Sequence, residues 1–345
     1  MEDRTPLDDG LYMPAEWSPH ERCWMQWPSR AEVWGERLPE VYMAYARVAR
    51  TIAEFEPVTM VVRPEDEAQA RLACGKTIEM LSLPIDDSWA RDSGPIFVVD
   101  GQGGVAGVHW QFNAWGDEYY PYDKDAAVGG KILQTLKMRC YRGPMVLEGG
   151  SITVDGLGTL ITTEECLLNE NRNPELTRQQ IEGNLAFYLG VSRIIWLDRG
   201  LVDDETDGHV DGVASFAKPG LVLLSMPMDQ DDPNHARMRD NAERLARAKD
   251  AHGKSLEVVE LPLPSRLGKR ADGRHVVGSY VNHYLANGAV IVPAYDDPMD
   301  ERACKILGEI FPERQIVPVP ALEIAQGGGE IHCITQQQPA GEALA

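Results

Sequence analysis

Stretches of strand length and stretches of helix length alternate along almost the whole chain, with no Ser- or Pro-rich linker between them and no block of like charge. Residues 38–55 predict a helix with Val41, Tyr45, Val48 and Ile52 on one face. Residues 57–62 and 96–99 predict buried strands, the second closed by Asp100 and Gly101. Pro174 after Asn173 predicts a helix start and Gly190 its stop, followed by a strand over 192–197. A long charged helix is predicted from Asp232 to about Gly253. Its apolar stripe (Met238, Ala242, Leu245, Ala248) is narrow, so much of it is expected to be solvated. Asn287-Gly288 predicts a hairpin turn between 280–285 and 289–292, because both residues tolerate positive φ. Pro298 opens the last clear helix and Pro312 ends it. The pattern predicts one α/β domain over residues 1–345, with a loose end from Gly341. Closed α/β rings of this length do fold as one domain. Glu148-Gly149-Gly150 and Gly328-Gly329-Glu330 hint at repeated units.

Charge and sulfur narrow the function. Acidic residues number 54 against 33 basic, a net charge of -21, which argues against nucleic acid and anionic membrane as partners. The surplus suits a soluble protein and favours the approach of a small cation. The start of the chain has no apolar signal core, and no apolar run reaches the roughly 20 residues of a membrane helix. Six scattered cysteines form no CxxC pair, so a reducing cytoplasm is expected.

Four stretches carry the candidate chemistry. Gly327-Gly328-Gly329-Glu330-Ile331-His332-Cys333 places a thiol just after a run of residues able to bring backbone very close to a neighbour. Cys333 reads either as a nucleophile on a tight turn or as a buried structural thiol. In Asp86-Asp87-Ser88-Trp89-Ala90-Arg91-Asp92, Trp89 and Asp92 suit a guanidinium, which takes a planar carboxylate partner and rests on an indole face. The other reading is a surface turn in which Arg91 pairs with its own aspartates. Glu148 before two glycines fits a carboxylate aimed into a cavity, or an exposed turn. His209 and Asp211, two apart, would share one face of a strand. They read as a proton shuttle with its carboxylate, as an ordinary histidine in an acidic turn, or as a metal half-site with no further His or Cys at short spacing. His109, His235, His252 and His283 read as ordinary surface or core.

No phosphate-binding glycine motif follows a strand. An acid-rich site would repel a developing oxyanion and hold a cation, so the electrophile that fits is a guanidinium or amidine carbon. The sequence also resembles the agmatine deiminase family, which includes bacterial peptidyl-arginine deiminases. The resemblance rests on Met13-Pro14-Ala15-Glu16-Trp17, Trp89-Ala90-Arg91-Asp92-Ser93-Gly94-Pro95, Phe112-Asn113-Ala114-Trp115-Gly116, Glu148-Gly149-Gly150-Ser151, Asp204-Glu205-Thr206-Asp207-Gly208-His209-Val210-Asp211 and the stretch from Gly327 to Gln337. It runs from about Met13 to Pro339.

The resemblance implies a five-fold pseudosymmetric α/β propeller of ββαβ units around a central pocket. It implies Cys333 as nucleophile, His209 as general acid/base, Glu148 as its helper, Asp92 and Asp211 as the guanidinium clamp, and Glu205 with Trp89 holding the rest of agmatine. It implies no metal or organic cofactor, and a homodimer or larger homo-oligomer. Its peptidyl-arginine members and a non-catalytic guanidine or polyamine binder are the rival readings. Free arginine fits less well, unless the fold turns Arg91 or Arg172 toward its carboxylate. The sequence departs from the family pattern at Thr153, Leu157 and Glu330, and Glu330 is expected to add negative charge near the thiol.

Overall fold

The computed structural model describes residues 4–265, 267–270 and 273–345. Residues 1–3, part of the N-terminal stretch read above for a signal core, lie outside the described residues. Five small sheets form among the described residues, and each is built in the same way. Two strands pair antiparallel, a helix crosses over, and the next strand returns parallel, as a parallel partner requires. Ile96–Val99, Gly104–Gln111, helix Asp125–Thr135 and Cys140–Val146 make one unit. Thr153–Val154, Thr159–Thr163, helix Arg178–Leu189 and Arg193–Leu197 make the next. Ala214–Lys218, Leu221–Met226, helix His235–Arg247 and Glu257–Pro262 follow. Then come Tyr284–Ala286, Ala289–Ala294, helix Met299–Ile310 and Gln315–Pro320. The fifth unit joins both ends of the chain. Thr335–Pro339 pairs antiparallel with His20–Gln26, helix Leu38–Ile52 follows, and Val58–Val62 returns parallel. The mixed α/β architecture is the one the alternation predicts. No described helix is long and apolar enough to cross a membrane.

Local differences from the sequence reading have identifiable causes. The helix expected at Pro174 begins at Arg178 instead. Asn173 is used elsewhere: its amide accepts from Val146 N at 2.9 Å and donates to Val146 O at 2.9 Å, pinning this segment beside the strand that leads to Glu148. Thr177 then caps the helix in a reciprocal box with Gln180. The long charged helix is shorter than expected, His235–Arg247, because Ala248 turns to extended backbone and Lys249 bridges to Ser255. Met238 and Leu245 of its stripe are buried and Ala242 only half so. The Asn287-Gly288 hairpin forms as expected, with Ala286 opposite Ala289 and Gly288 at φ 81°. Its first strand starts at Tyr284, which leaves Asn282 free to face the cysteine turn.

Candidate active site

The short helix Ala90–Ser93 holds Asp92, and Arg91 N donates to Cys333 O at 3.1 Å, tying that helix to the cysteine turn. Arg91 does not pair with its neighbouring aspartates. Its guanidinium reaches Gln336 Oε1 at 2.8 Å and Glu16 Oε1 at 3.4 Å. Asp92 is clamped on both oxygens, accepting from Gly150 N at 3.0 Å and from Trp115 Nε1 at 2.9 Å. Trp115 is aimed there by a left-handed turn: Ala114, Trp115, Gly116 and Asp117 have φ of 51°, 58°, 88° and 63°. Three of these are not glycine, and each costs about 1–2 kcal/mol in that region. Strain of this kind concentrates where geometry must be exact for function.

His209 and Asp211 converge without the expected strand. His209 precedes a single 3-10 turn, Val210–Gly212, and Asp211 lies within it. A methyl placed on Gly150 would lie 2.6 Å from His209 Nδ1, 2.8 Å from Asp211 Oδ2 and 3.0 Å from Asp92 Oδ1, so imidazole and both carboxylates close around one backbone carbon. This is the close approach that the Glu-Gly-Gly signal requires. Cys333 Sγ lies 3.6 Å from Asp211 Oδ2 and 3.3 Å from Asn282 Nδ2.

Burial, then Asp211 and Asp92, push the Cys333 thiol well above its ordinary range, so it keeps its proton unless a cation enters. Burial opposes charge on the His209 imidazole. The carboxylate of Asp92, with the Cys166 sulfur and Glu148, outweighs it and holds the imidazole protonated well above its usual value. Asp211 is held low against burial by its contact with His332. His332 Nδ1 sits 2.8 Å from Asp211 Oδ2, and Nε2 sits 2.9 Å from Glu16 Oε1. With a carboxylate at each nitrogen, the ring must carry both protons.

Glu148 is fully buried, and Arg172 Nε binds its Oε1 at 2.6 Å. Arg172 also bridges to Asp207 at 3.0 Å. Both arginines raised as carboxylate anchors are therefore engaged by acids. Glu330 does not act as the sequence suggested. Burial pushes its carboxyl well above the normal range, which favours the neutral form over the charge the sequence suggested, and Ser279 N donates to its Oε1 at 2.6 Å. Thr153 is buried, and its hydroxyl accepts from Phe216 N at 3.2 Å.

Trp89, Asp92, Trp115, Glu205, the Gly327–Gly329 backbone and Cys333 surround a narrow pocket whose cavity volume is about 20 Å³. A side chain at Gly329 would strike Trp89 at 2.4 Å, and Gly328 sits at φ 100°, so the glycine run forms this wall. At the mouth, Glu205 accepts from Tyr119 Oη at 3.0 Å and pairs with Arg270 at 2.7 Å and Arg274 at 2.6 Å. The structure thus groups all seven predicted site residues: Trp89, Asp92, Glu205 and Cys333 on the pocket, with Asp211, His209 and Glu148 behind it. Glu16, Trp115, Asn282 and His332 were missed. Glu16 and Trp115 lie within stretches that carry the family resemblance and His332 lies next to the thiol, so these three had a sequence signal; Asn282 had none.

The sequence model of the Porphyromonas-type peptidyl-arginine deiminase family matches residues 12–339. An agmatine deiminase of Stutzerimonas stutzeri is 48% identical, the match covering 97% of each chain. A solved agmatine deiminase of Enterococcus faecalis superposes with a TM-score of 0.95 at 38% identity, over 99% of each chain. A cysteine-to-serine agmatine deiminase of C. jejuni with substrate bound superposes with a TM-score of 0.87 at 29% identity, over 96% of this chain and 97% of that one. The chain therefore belongs to the Porphyromonas-type peptidyl-arginine deiminase family of enzymes and is similar throughout to its agmatine deiminases.

Proposed function

We propose that this protein hydrolyses agmatine to N-carbamoylputrescine and ammonia through a covalent thiouronium on Cys333. The observation that carries this reading is one convergence: a thiol and a carboxylate on the wall of a small acid-lined pocket, with an imidazole and a second carboxylate drawn in behind them around Gly150. Agmatine enters guanidinium first. Asp92 and Asp211 use their remaining lone pairs to accept from its N–H groups. The bound cation offsets the carboxylates that hold the Cys333 proton, and that proton leaves to solvent. Sulfur attacks the guanidinium carbon. His209 gives its proton to the departing nitrogen, the C–N bond breaks and ammonia leaves. His209, now neutral, takes a proton from water as that water attacks the thiouronium carbon. The C–S bond then breaks, the hydroxyl proton leaves to solvent, and N-carbamoylputrescine and the thiolate are released. Glu148, anchored by Arg172, supports the imidazolium by its charge. These steps draw on no metal or organic cofactor.

Glu205 and Trp89 take the substrate's tail, the ammonium competing with Arg270 and Arg274 for the Glu205 carboxylate. A narrow pocket closed by glycine backbone favours a slender free amine over a peptide-borne arginine, and a thiol beside a protonated histidine is of no use to a mere binder. The five ββαβ units support a five-bladed propeller with the pocket at its centre, formed by one catalytic domain over residues 1–345. We also propose a homodimer or larger homo-oligomer in the cytoplasm, serving putrescine formation or agmatine breakdown. The test compares ammonia release from agmatine and from a blocked arginine ester. Turnover of agmatine alone is expected; turnover of the ester alone rejects this substrate assignment.

A further inference from the structure

Behind the pocket wall, three buried side chains from separate segments meet. A carboxylate oxygen of Glu148, the sulfur of Cys166 and a ring nitrogen of His209 all lie within 4.8 Å of one another. Glu148 and Cys166 have no exposed surface and His209 has 2%. Glu148 Oε2 and both ring nitrogens of His209 have no hydrogen-bond partner among the described residues. Buried polar atoms are seldom left so, and an unpartnered carboxylate oxygen close to an unpartnered imidazole points to a further ligand between them. A thiolate, an imidazole and a carboxylate are the donor types that bind zinc and its borderline-soft neighbours, at roughly 2.0–2.3 Å from the ion. Drawing three atoms from 4.8 Å spacing onto such an ion needs only small side-chain rotations. Asp92, whose Oδ1 lies 3.9 Å from His209 Nδ1, also lines the substrate pocket, so the cluster lies next to that pocket. Arg172 binds only the other oxygen of Glu148, leaving Oε2 to the metal.

We propose that Glu148, Cys166 and His209 form an inhibitory site for a zinc-like divalent ion. Sequence spacing hides the site, since Cys166 lies far along the chain from His209. On binding, the S–H proton of Cys166 and the acidic proton of His209 leave to water, and metal–sulfur, metal–nitrogen and metal–oxygen bonds form without any oxidation. The imidazole is then no longer available to carry protons, so turnover stops while Cys333 stays free. The inhibition rests on the role given to His209 above; the metal site itself does not.

Cobalt(II) chloride added to the full-length protein reads the site directly, because cobalt bound to thiolate has a charge-transfer absorption that cobalt on nitrogen and oxygen lacks. Wild type and Cys333→Ser are expected to show the band. Cys166→Ser and Cys166→Ala are expected to lose it, and zinc inhibition of their remaining turnover, measured against each variant's own zinc-free rate, shifts at least tenfold to higher concentration. No band in wild type, or a band that survives in the Cys166 variants and vanishes in Cys333→Ser, overturns the site. If neither Cys166 variant folds, the Cys333→Ser spectrum decides alone, and its lack of a band overturns the site. Metal bound through Cys166 with turnover undiminished overturns the inhibition and the assignment of His209 with it, whereas failure of the band leaves that assignment untouched.

Discussion

Gly150→Ala tests how tightly the site is drawn. Gly150 is not at positive φ, so alanine fits its backbone and the effect is steric alone. Its methyl would lie 2.6, 2.8 and 3.0 Å from His209 Nδ1, Asp211 Oδ2 and Asp92 Oδ1, short of an ordinary 3.4 Å contact by about 0.8, 0.6 and 0.4 Å. Neither carboxylate can yield freely, and the His209 ring, packed in the core, can only turn away from its working position. Asp92 is held by Trp115 and by Gly150 N itself, and Asp211 by His332. Displacing acid/base and clamp together by most of an ångström should cost about 10²-fold in kcat/KM, or about 2.7 kcal/mol of transition-state stabilisation. Overpacking should also cost about 1–3 kcal/mol of stability, so the variant must be shown folded at the assay temperature. Steady-state ammonia release from agmatine, run beside a thermal melt, gives both numbers. A folded Gly150→Ala variant with kcat/KM within about threefold of wild type would refute the convergence, since under 1 kcal/mol could then have been lost.

Three further outcomes follow from the same geometry. Glu205→Gln should raise KM for agmatine about tenfold with little change in kcat, because it removes a charged contact made far from the reacting carbon; steady-state kinetics check this. Glu330→Gln should be more stable than wild type at neutral pH and no different below about pH 4. The folded carboxyl is raised above its unfolded value, so the folded state binds the extra proton and wild type loses stability as pH rises through that window, a loss the amide escapes. Denaturant melts at several pH values measure it. Arg172→Ala should cost about 3–5 kcal/mol in denaturant unfolding, since it strands the Glu148 carboxylate without its buried partner.

The sequence carried the alternation that makes the ββαβ units, the hairpin at Asn287-Gly288 and the acids and thiol of the pocket, because each is a local pattern. It could not carry what depends on distant chain. Asn173 looks like a helix cap until Val146 claims it. His209 and Asp211 meet through a 3-10 turn and a glycine some sixty residues earlier in the chain, not through a strand face. Glu330 counts as a charge in the sequence and as a neutral hydrogen-bonding group once buried. The role of Trp115 depends on a left-handed turn that its own residue type disfavours, a preference that packing around Asp92 overrides.

The central claim is that Cys333 sulfur bonds to the guanidinium carbon. Wild type and His209→Gln mixed with agmatine, quenched rapidly in acid and read by intact mass and peptide mapping, test it most directly. A mass gain equal to agmatine less one ammonia, mapped to Cys333 in wild type, formed more slowly in His209→Gln and absent from Cys333→Ser, is the predicted result. Turnover with no adduct at any quench time, an adduct mapped to another cysteine, or full activity in Cys333→Ser would contradict it.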